Sequence, residues 1–412
     1  MKEKRYVIIG NSTAAIAAAE NIRKLDKTGS ITFLSEEEYP AYGRPLISYY
    51  LLGKTRAENM SVRPADFYEK LGATLRLGVR AERIDTAKRQ VILRGGERIR
   101  YDKLLVATGS RPFVPNVEGY EKVKDKFTFM TFSDALALEK KLTPQARVLI
   151  VGAGLIGLKC FEGIAARVAG ADIVDLSDRI LPSILDETGA DIVRRKLEEK
   201  GARFFLSDCV ERFDEGVAHL RSGKSLPFDI LVMAAGVRPN TELVSEAGGE
   251  VGRGIVVDGG GHTSLPDVYA AGDCTECYDV AGGERRVLAL LPNASLQGEA
   301  AGTNMAGGHA SFDNAIAMNA IGFFGTHVLT AGCYRGESFC EREGDKYKKL
   351  FFEGDRLVGF ILIDLPERAG IYTSLVRGRT PLSEVDLDLL KRRPTLLAFS
   401  EGERAKKLAR EV

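Results

Sequence analysis

Long apolar runs, an excess of either charge and a dense cysteine framework are all missing from this sequence. No stretch reaches the roughly 18 uncharged apolar residues of a membrane helix, so no membrane association is expected. Lys and Arg number 58 against 57 Asp and Glu, a formal net charge of +1. With no basic excess and no basic run, nucleic-acid binding is not expected. Six Cys in 412 residues are too sparse for a disulfide scaffold. His219, His262, His309 and His327 form no triad and no metal spacing, and no four-cysteine iron–sulfur signature is present, so no bound metal is expected. The opening MKEKRYVIIG has an apolar run only a strand long, with no small-residue cleavage site after it. A signal peptide is therefore not expected, and the cytoplasm is the default location.

What is present is an ordinary globular balance, 44% hydrophobic and 28% charged, at a length natural for two or three domains. The 44 Gly residues predict many tight turns or close backbone approaches. Residues 6–9 read as a strand that breaks at Gly10; an Ala-rich helix follows over 13–25 and a strand over 31–34. The plan recurs: a strand over 147–151, a break at Gly152, a helix to about Ala169 and a strand over 172–176. Strand–turn–helix–strand, twice, predicts two doubly wound dinucleotide-binding domains. Between them lie short strands, with a hairpin over 84–99 around Gly95-Gly96. From about Ser311 the character changes. A hairpin is expected over 347–363 with its turn at Gly354-Asp355, and a closing polar helix over 391–412.

The second loop, Gly152-Ala153-Gly154-Leu155-Ile156-Gly157, is a full G-x-G-x-x-G between a strand and a helix. The first Gly makes the turn, the second lets a pyrophosphate approach the backbone, and the third lets helix and strand pack closely. The helix N-terminus supplies N–H groups and partial positive charge to the phosphates. Asp175, at the end of the next strand, is placed to accept hydrogen bonds from the adenosine ribose, which favours NADH over NADPH; Asp178-Arg179 follows closely. In the first loop, Gly10-Asn11-Ser12-Thr13-Ala14-Ala15, Ser12 and Ala15 stand at the second and third Gly positions. Glu36 is placed for the ribose of another dinucleotide. Taken alone, this loop is either a second dinucleotide site or a tight strand-to-helix turn.

Four further segments complete a pattern: 101–112 (YDKLLVATGSRP, with Ala107, Thr108, Gly109 and Arg111), 233–240 (MAAGVRPN, with Ala235 and Gly236), 263–273 (TSLPDVYAAGD, ending in Gly272 and Asp273) and 291–308. In order and spacing they resemble the pyridine nucleotide–disulfide oxidoreductase superfamily over residues 1 to about 310. Within it, Pro40-Ala41-Tyr42-Gly43-Arg44-Pro45-Leu46-Ile47-Ser48 and the run Ala369-Gly370-Ile371-Tyr372-Thr373-Ser374-Leu375 resemble the rubredoxin reductase and nitrite reductase large-subunit flavodomain group. The resemblance implies an α/β chain of two Rossmann-like domains, with FAD on the N-terminal one and NAD(P)H on a second inserted into it. The FAD domain is then 1–112 and 241–310, the NAD(P)H domain 113–240, and a C-terminal α+β interface domain 311–412. Asp273 is positioned for a ribityl hydroxyl of FAD, or is an ordinary helix N-cap. The helix after Pro292, carrying Ser295 and Gln297, would aim its N-terminus at the flavin pyrimidine edge. Arg44 and Pro45 would sit near the same ring system, or on a surface turn.

Departures from the pattern bear on mechanism. Disulfide reductases, peroxidases and water-forming oxidases of the superfamily carry a redox Cys after the second strand, and residues 39–54 contain none. Many relatives have a Glu two residues after the third Gly of the NAD loop and a Lys after the Arg-Pro-x-x-Ser stretch, which can pair near flavin N5. Here those positions are Lys159 and Tyr49. Lys159 is then a cation beside the hydride-transfer site, an ion-pair partner elsewhere, or part of a solvated face. Cys274 and Cys277 form a C-x-x-C, either a redox pair or two tolerated thiols. Cys333 and Cys340 flank an expected turn and read as buried or free thiols, and Cys160 as a small core residue.

The expected activity is FAD-dependent NAD(P)H oxidoreduction, from NADH through flavin to a small electron carrier such as rubredoxin or ferredoxin, or to an Fe–S subunit. Lys346, Lys348 and Lys349 are candidates to steer an acidic partner, or are solvated charges. Two alternatives stand beside this reading: an NADH oxidase making peroxide, and a flavin-bound sensor or assembly subunit with little turnover. The C-terminal domain is expected to supply a homodimer or partner surface.

Overall fold

The computed structural model describes residues 3–409. Two compact units emerge, each from several stretches of chain: Met1–Gly43, Ala57–Arg111 and Arg238–Ile316 in the first, and Arg44–Arg56, Pro112–Val237 and Ala317–Val412 in the second.

The first unit begins with β1 (Arg5–Ile9), α1 (Thr13–Leu25) and β2 (Ser30–Leu34), then β3 (Ala73–Arg76) and β4 (Lys103–Val106). In the second unit follow β5 (Arg147–Val151), α2 (Leu155–Ile164), β6 (Gly170–Asp175), α3 (Glu187–Glu198), β7 (Ala202–Leu206) and β8 (Ile230–Met233). The chain re-enters the first unit with β9 (Val268–Ala270) and α4 (Leu291–Met305). It ends in the second with β10 (Met318–Phe323), β11 (Thr326–Gly332), β12 (Glu337–Glu343), β13 (Lys346–Phe352), β14 (Leu357–Ile363) and α5 (Ala369–Gly378).

The sheet of the first unit runs β9-β4-β1-β2-β3, all parallel. Tyr6, Val7, Ile8 and Ile9 are all buried, as an unbroken apolar strand covered on both faces must be. The Ala-rich composition of α1 follows from its neighbour α4. A Cβ added at Gly298 would lie 2.2 Å from the Ala14 carbonyl oxygen, and one at Gly302 would lie 2.2 Å from that of Ala18. Small residues on both helices permit this backbone approach. The hairpin expected over 84–99 is a three-stranded meander, Ala81–Asp85, Gln90–Leu93 and Arg98–Arg100, with Gly95-Gly96 in its second turn.

Besides a small antiparallel meander over Val210–Asp214, Val217–Leu220 and Ser225–Pro227, the second unit holds two five-stranded sheets. One is parallel, β7-β6-β5-β8, edged by Lys126–Phe127. The other is antiparallel, β10-β11-β14-β13-β12, with every residue of β14 buried and α5 packed on β14 and β11. The Gly354-Asp355 turn joins β13 to β14 as expected. The single closing helix is not formed: Pro394 lacks an N–H to continue it, and the segment breaks into Leu387–Arg392, Leu396–Ala398 and Glu401–Leu408; 410–412 lie outside the described residues. No described helix is long and apolar enough to cross a membrane.

The stretch Arg44–Arg56 belongs by packing to the second unit rather than to the N-terminal segment around it. Its short helix Leu46–Leu51 lies against α2, where Gly163 leaves room for the Ser48 carbonyl.

Candidate functional site

The two Gly-rich loops are built alike, each within its own unit. Gly10 donates its N–H to Leu34 O at 2.8 Å, and Gly152 donates to Val174 O at 2.8 Å. Both have positive φ, 118° and 119°. A Cβ at Gly10 would lie 2.1 Å from Ala107 O; one at Gly152 would lie 2.2 Å from Ala234 O. Only Gly satisfies both the backbone angle and the approach. Ala107 and Ala234 in turn donate to the last residue of β1 and of β5, Ile9 and Val151, at 2.8 Å. Thr108-Gly109 and Ala235-Gly236 therefore hold matching places after β4 and β8. The loops part at their third position, where Ala15 is accommodated but a Cβ at Gly157 would lie 2.1 Å from Gly152 O.

Both loops fit a dinucleotide phosphate. Ser12 and Gly154 are the N-caps of α1 and α2, and neither helix has a side-chain cap on its first N–H groups. A Cβ at Gly154 would meet nothing within 4 Å, so an open cradle lies over the N-terminus of α2, beside Leu155 and Ile156. In the first loop the buried Nδ2 of Asn11 has no partner, while its Oδ1 accepts from Tyr68 OH at 2.7 Å. Gly272 lies against Ala14, with its virtual Cβ 3.2 Å from the Ala14 Cβ, so the Gly272-Asp273 turn flanks the first turn of α1. Gln297 is buried and holds that turn: its Oε1 accepts from Gly272 N at 2.7 Å and from Thr275 Oγ1 at 3.2 Å. Ser295 is turned to Glu299, at 3.3 Å.

The acids after the second strands differ between loops. Asp175 Oδ2 accepts from Ala153 N at 2.6 Å and its Oδ1 from Ser177 N at 2.7 Å, which fixes the carboxylate beside the Gly loop. Leu176, next to it, is 67% exposed. Arg179 is committed to Asp178 at 2.8 Å and to Leu185 O at 3.3 Å. By strand register Leu34 matches Val174, so Ser35, not Glu36, stands at the position of Asp175. Glu36 is exposed and ion-paired with Arg80 at 2.7 Å.

Asn240, quoted within a motif but not singled out from sequence, stitches two distant stretches of the first unit. It donates to Thr108 O at 2.9 Å, and its own carbonyl accepts from Thr108 Oγ1 at 2.7 Å. Its Oδ1 accepts from Arg111 at 2.8 Å, and Arg111 also pairs with Glu242.

In the second unit, Lys159 and Tyr49 do meet: the Lys159 Nζ lies 4.8 Å from the Tyr49 ring centroid and 5.7 Å from that of Phe323. Of the readings open for Lys159, the structure places it in an ion pair, with Glu162 on the same helix. Lys159 also donates to Gly322 O at 3.2 Å, and Glu162 accepts from Phe324 N at 2.8 Å. Glu162 escaped the sequence reading although its spacing of three on a helix was the signal. Arg44 donates to Met130 O at 3.2 Å, and Pro45 caps the Leu46–Leu51 helix.

Cys274 and Cys277 are free and buried, and burial pushes both thiols up to about 11, away from the thiolate a redox pair needs. Cys160 is fully buried in the core. No metal-binding group of His, Cys, Asp and Glu occurs among the described residues. Two of the three candidate steering lysines are engaged internally. Lys348 pairs with Glu341 and donates to Lys391 O at 2.7 Å, and Lys349 donates to Asp186 at 2.8 Å.

The profile described as pyridine nucleotide-disulphide oxidoreductase matches residues 4–298. Over 392 residues the chain is 32% identical to the assimilatory nitrate reductase electron transfer subunit of Bacillus subtilis (strain 168), covering 92% of this chain and 50% of that one. Over 396 residues it is 28% identical to the NADH-dependent phenylglyoxylate dehydrogenase subunit epsilon of Aromatoleum evansii, covering 93% and 94%. The chain thus spans half the length of the first relative and nearly all of the second. In fold it is similar to a structure of the covalent putidaredoxin reductase–putidaredoxin complex, with a TM-score of 0.88, 23% identity and 99% of both chains covered.

Proposed function

Because the chain belongs to the pyridine nucleotide-disulphide oxidoreductase family, we propose that it takes electrons from NADH and passes them to a small redox protein or an Fe–S subunit. The observation that carries this reading is the twin construction of the Gly10 and Gly152 loops, two dinucleotide cradles in one chain. FAD, when bound at the first cradle, supplies the step from two-electron to one-electron transfer. The α1 N-terminus, Asn11 and the Gly272-Asp273 turn hold it, with Gln297 fixing that turn. Gly154, the α2 N-terminus and Asp175 hold NADH. Asp175 favours the unphosphorylated ribose because its charge would repel a 2′-phosphate.

Hydride transfer needs alignment of two rings more than an acid or base. Lys159, Tyr49 and Arg44 are accordingly proposed as positioning residues. With no thiol in residues 39–54, electrons leave without a cysteine relay. The two relatives named as a subunit and an electron transfer subunit support a protein acceptor over a small molecule.

The test is an anaerobic titration of the purified protein with NADH and NADPH, followed by stopped-flow spectroscopy. Rapid bleaching of a bound flavin by NADH, then reduction of added rubredoxin or ferredoxin, is the expected result. A flavin that stays oxidised with both nucleotides would sink the hydride-transfer assignment, and a protein without flavin would sink the first cradle.

A further inference from the structure

Arg377, in the last turn of α5, is a half-buried guanidinium with no anion. Its Nε is buried and unpartnered, and its Nη2 has only the thioether of Met318, at 3.4 Å. Sulfur of this kind is a weak acceptor. The Nη1 group makes no hydrogen bond and is not enclosed, so this end of the fork reaches solvent. The elements around it offer no carboxylate: residues 314–336, which include β10 and β11, contain no Asp or Glu, and neither do β14 or residues 368–383. Burial alone lowers its basicity, with no nearby acid to restore it. Elsewhere among the described residues, comparable arginines have partners at hand. Arg5 pairs with Asp102, Arg63 with Glu20 and Arg203 with Asp172.

A desolvated cation is costly unless an anion meets it. The solvent-reaching Nη1 end presents N–H groups that a carboxylate oxygen accepts. Arg379, two residues on, is exposed and adds positive charge without an acid from the same stretch. The geometry points to Arg377 as a docking residue for a surface carboxylate of an acidic electron-carrier protein. This inference rests on the electron-transfer reading above and adds to it a specific contact on the C-terminal sheet domain. The charge complementarity that Lys348 and Lys349 do not offer is supplied here instead.

The experiment measures binding of oxidised rubredoxin, and in parallel of a [2Fe–2S] ferredoxin, to the flavin-loaded protein by titration calorimetry at low and moderate salt. Arg377→Met removes the guanidinium; Arg377→Lys keeps the charge and loses the planar, delocalised head. For the carrier that wild type binds, the dissociation constant should rise about tenfold in the Met variant and less in the Lys variant, with a shallower salt dependence in the former. Arg379→Met, an exposed rim charge, should change it by less than about twofold. A Met variant that binds the carrier as wild type does, at the same salt slope, overturns the inference alone. A Met variant with an altered flavin spectrum or weakened FAD retention gives the guanidinium to the cofactor and also overturns it. If the wild-type protein neither binds nor reduces either carrier, the electron-carrier reading falls, and the occupant assigned to Arg377 falls with it.

Discussion

Lys159 and Glu162, one turn apart on α2, form an ion pair whose two ends are both fastened to the end of β10 and the residue just after it. Lys159 donates to Gly322 O, and Glu162 accepts from Phe324 N at 2.8 Å. The side chains are 18% and 6% exposed, and Tyr49 and Phe323 face the ammonium. The helix whose N-terminus forms the second cradle is thereby tied to the C-terminal sheet by charge as well as by packing.

Removing one partner leaves the other charge buried. Glu162→Ala should lower the unfolding free energy by about 3 kcal/mol, because an uncompensated ammonium then sits among aromatic rings. Lys159→Met combined with Glu162→Gln should recover most of that loss. Urea denaturation of the two variants checks this. If the double variant is as unstable as Glu162→Ala, the deficit comes from lost packing and not from the orphaned charge.

The second cradle separates a folding requirement from a binding one. Gly157→Ala would drive a Cβ to 2.1 Å from Gly152 O, so it should cost about 1–3 kcal/mol of stability. Gly154→Ala meets nothing within 4 Å and has an ordinary φ of −83°, so stability should stay within about 0.5 kcal/mol of wild type. Its methyl group nevertheless enters the space proposed for the pyrophosphate, and the NADH dissociation constant should rise at least about tenfold. Thermal melts and NADH titrations of both variants decide it. Unchanged NADH affinity in the Gly154 variant would remove the pyrophosphate from that position.

Sequence pattern revealed the two strand–Gly-loop–helix units because their signals are local. An apolar run ending at a positive-φ Gly, with a helix directly after it, is visible within a dozen residues, and the helix Thr13–Leu25 and strand Arg147–Val151 have the expected bounds. Pairing between distant segments was not legible. Nothing local in residues 44–56 announces that they pack on α2, since the reason is the missing side chain of Gly163, over a hundred residues later. The Ser35–Asp175 equivalence emerges only from strand register, which one residue of slippage conceals. Two signals were readable and were passed over: the spacing of Lys159 and Glu162, and the helix-breaking Pro394.

Asp26 should set part of the acid limit of the first unit. Hydrogen bonds from Gly29 N, foremost, and from Thr28 N and Tyr6 OH hold its carboxyl down at about 2. In the unfolded chain the group ionises near the ordinary value of about 3.9. A depressed folded value means stabilisation that is complete above the unfolded value and lost as pH falls through the folded one. Asp26→Asn should therefore melt below wild type at pH 6, and the gap should narrow steadily between about pH 4 and pH 2. A gap that is constant across that range would show that the ionised form has no special role.

In the NADH site proposed above, nucleotide choice should turn on Asp175 and its neighbour. The carboxylate is fixed by Ala153 N and Ser177 N, and Leu176 beside it is 67% exposed with no internal role to lose. Asp175→Asn removes the negative charge and keeps an acceptor for one of the two N–H groups, its amide NH2 being a donor that cannot serve the other. Leu176→Arg adds a guanidinium where a 2′-phosphate would arrive, and Arg179 cannot substitute for it because Asp178 and the Leu185 carbonyl already engage it. Together the two changes should raise the NADPH-to-NADH ratio of kcat/KM by about tenfold or more, equivalent to about 1.4 kcal/mol per decade. Stopped-flow reduction with each nucleotide gives the ratio directly. The single variants apportion the effect: Asp175→Asn should chiefly weaken NADH, and Leu176→Arg should chiefly strengthen NADPH. A double variant that keeps the wild-type preference would mean that the adenosine ribose lies elsewhere than beside Asp175.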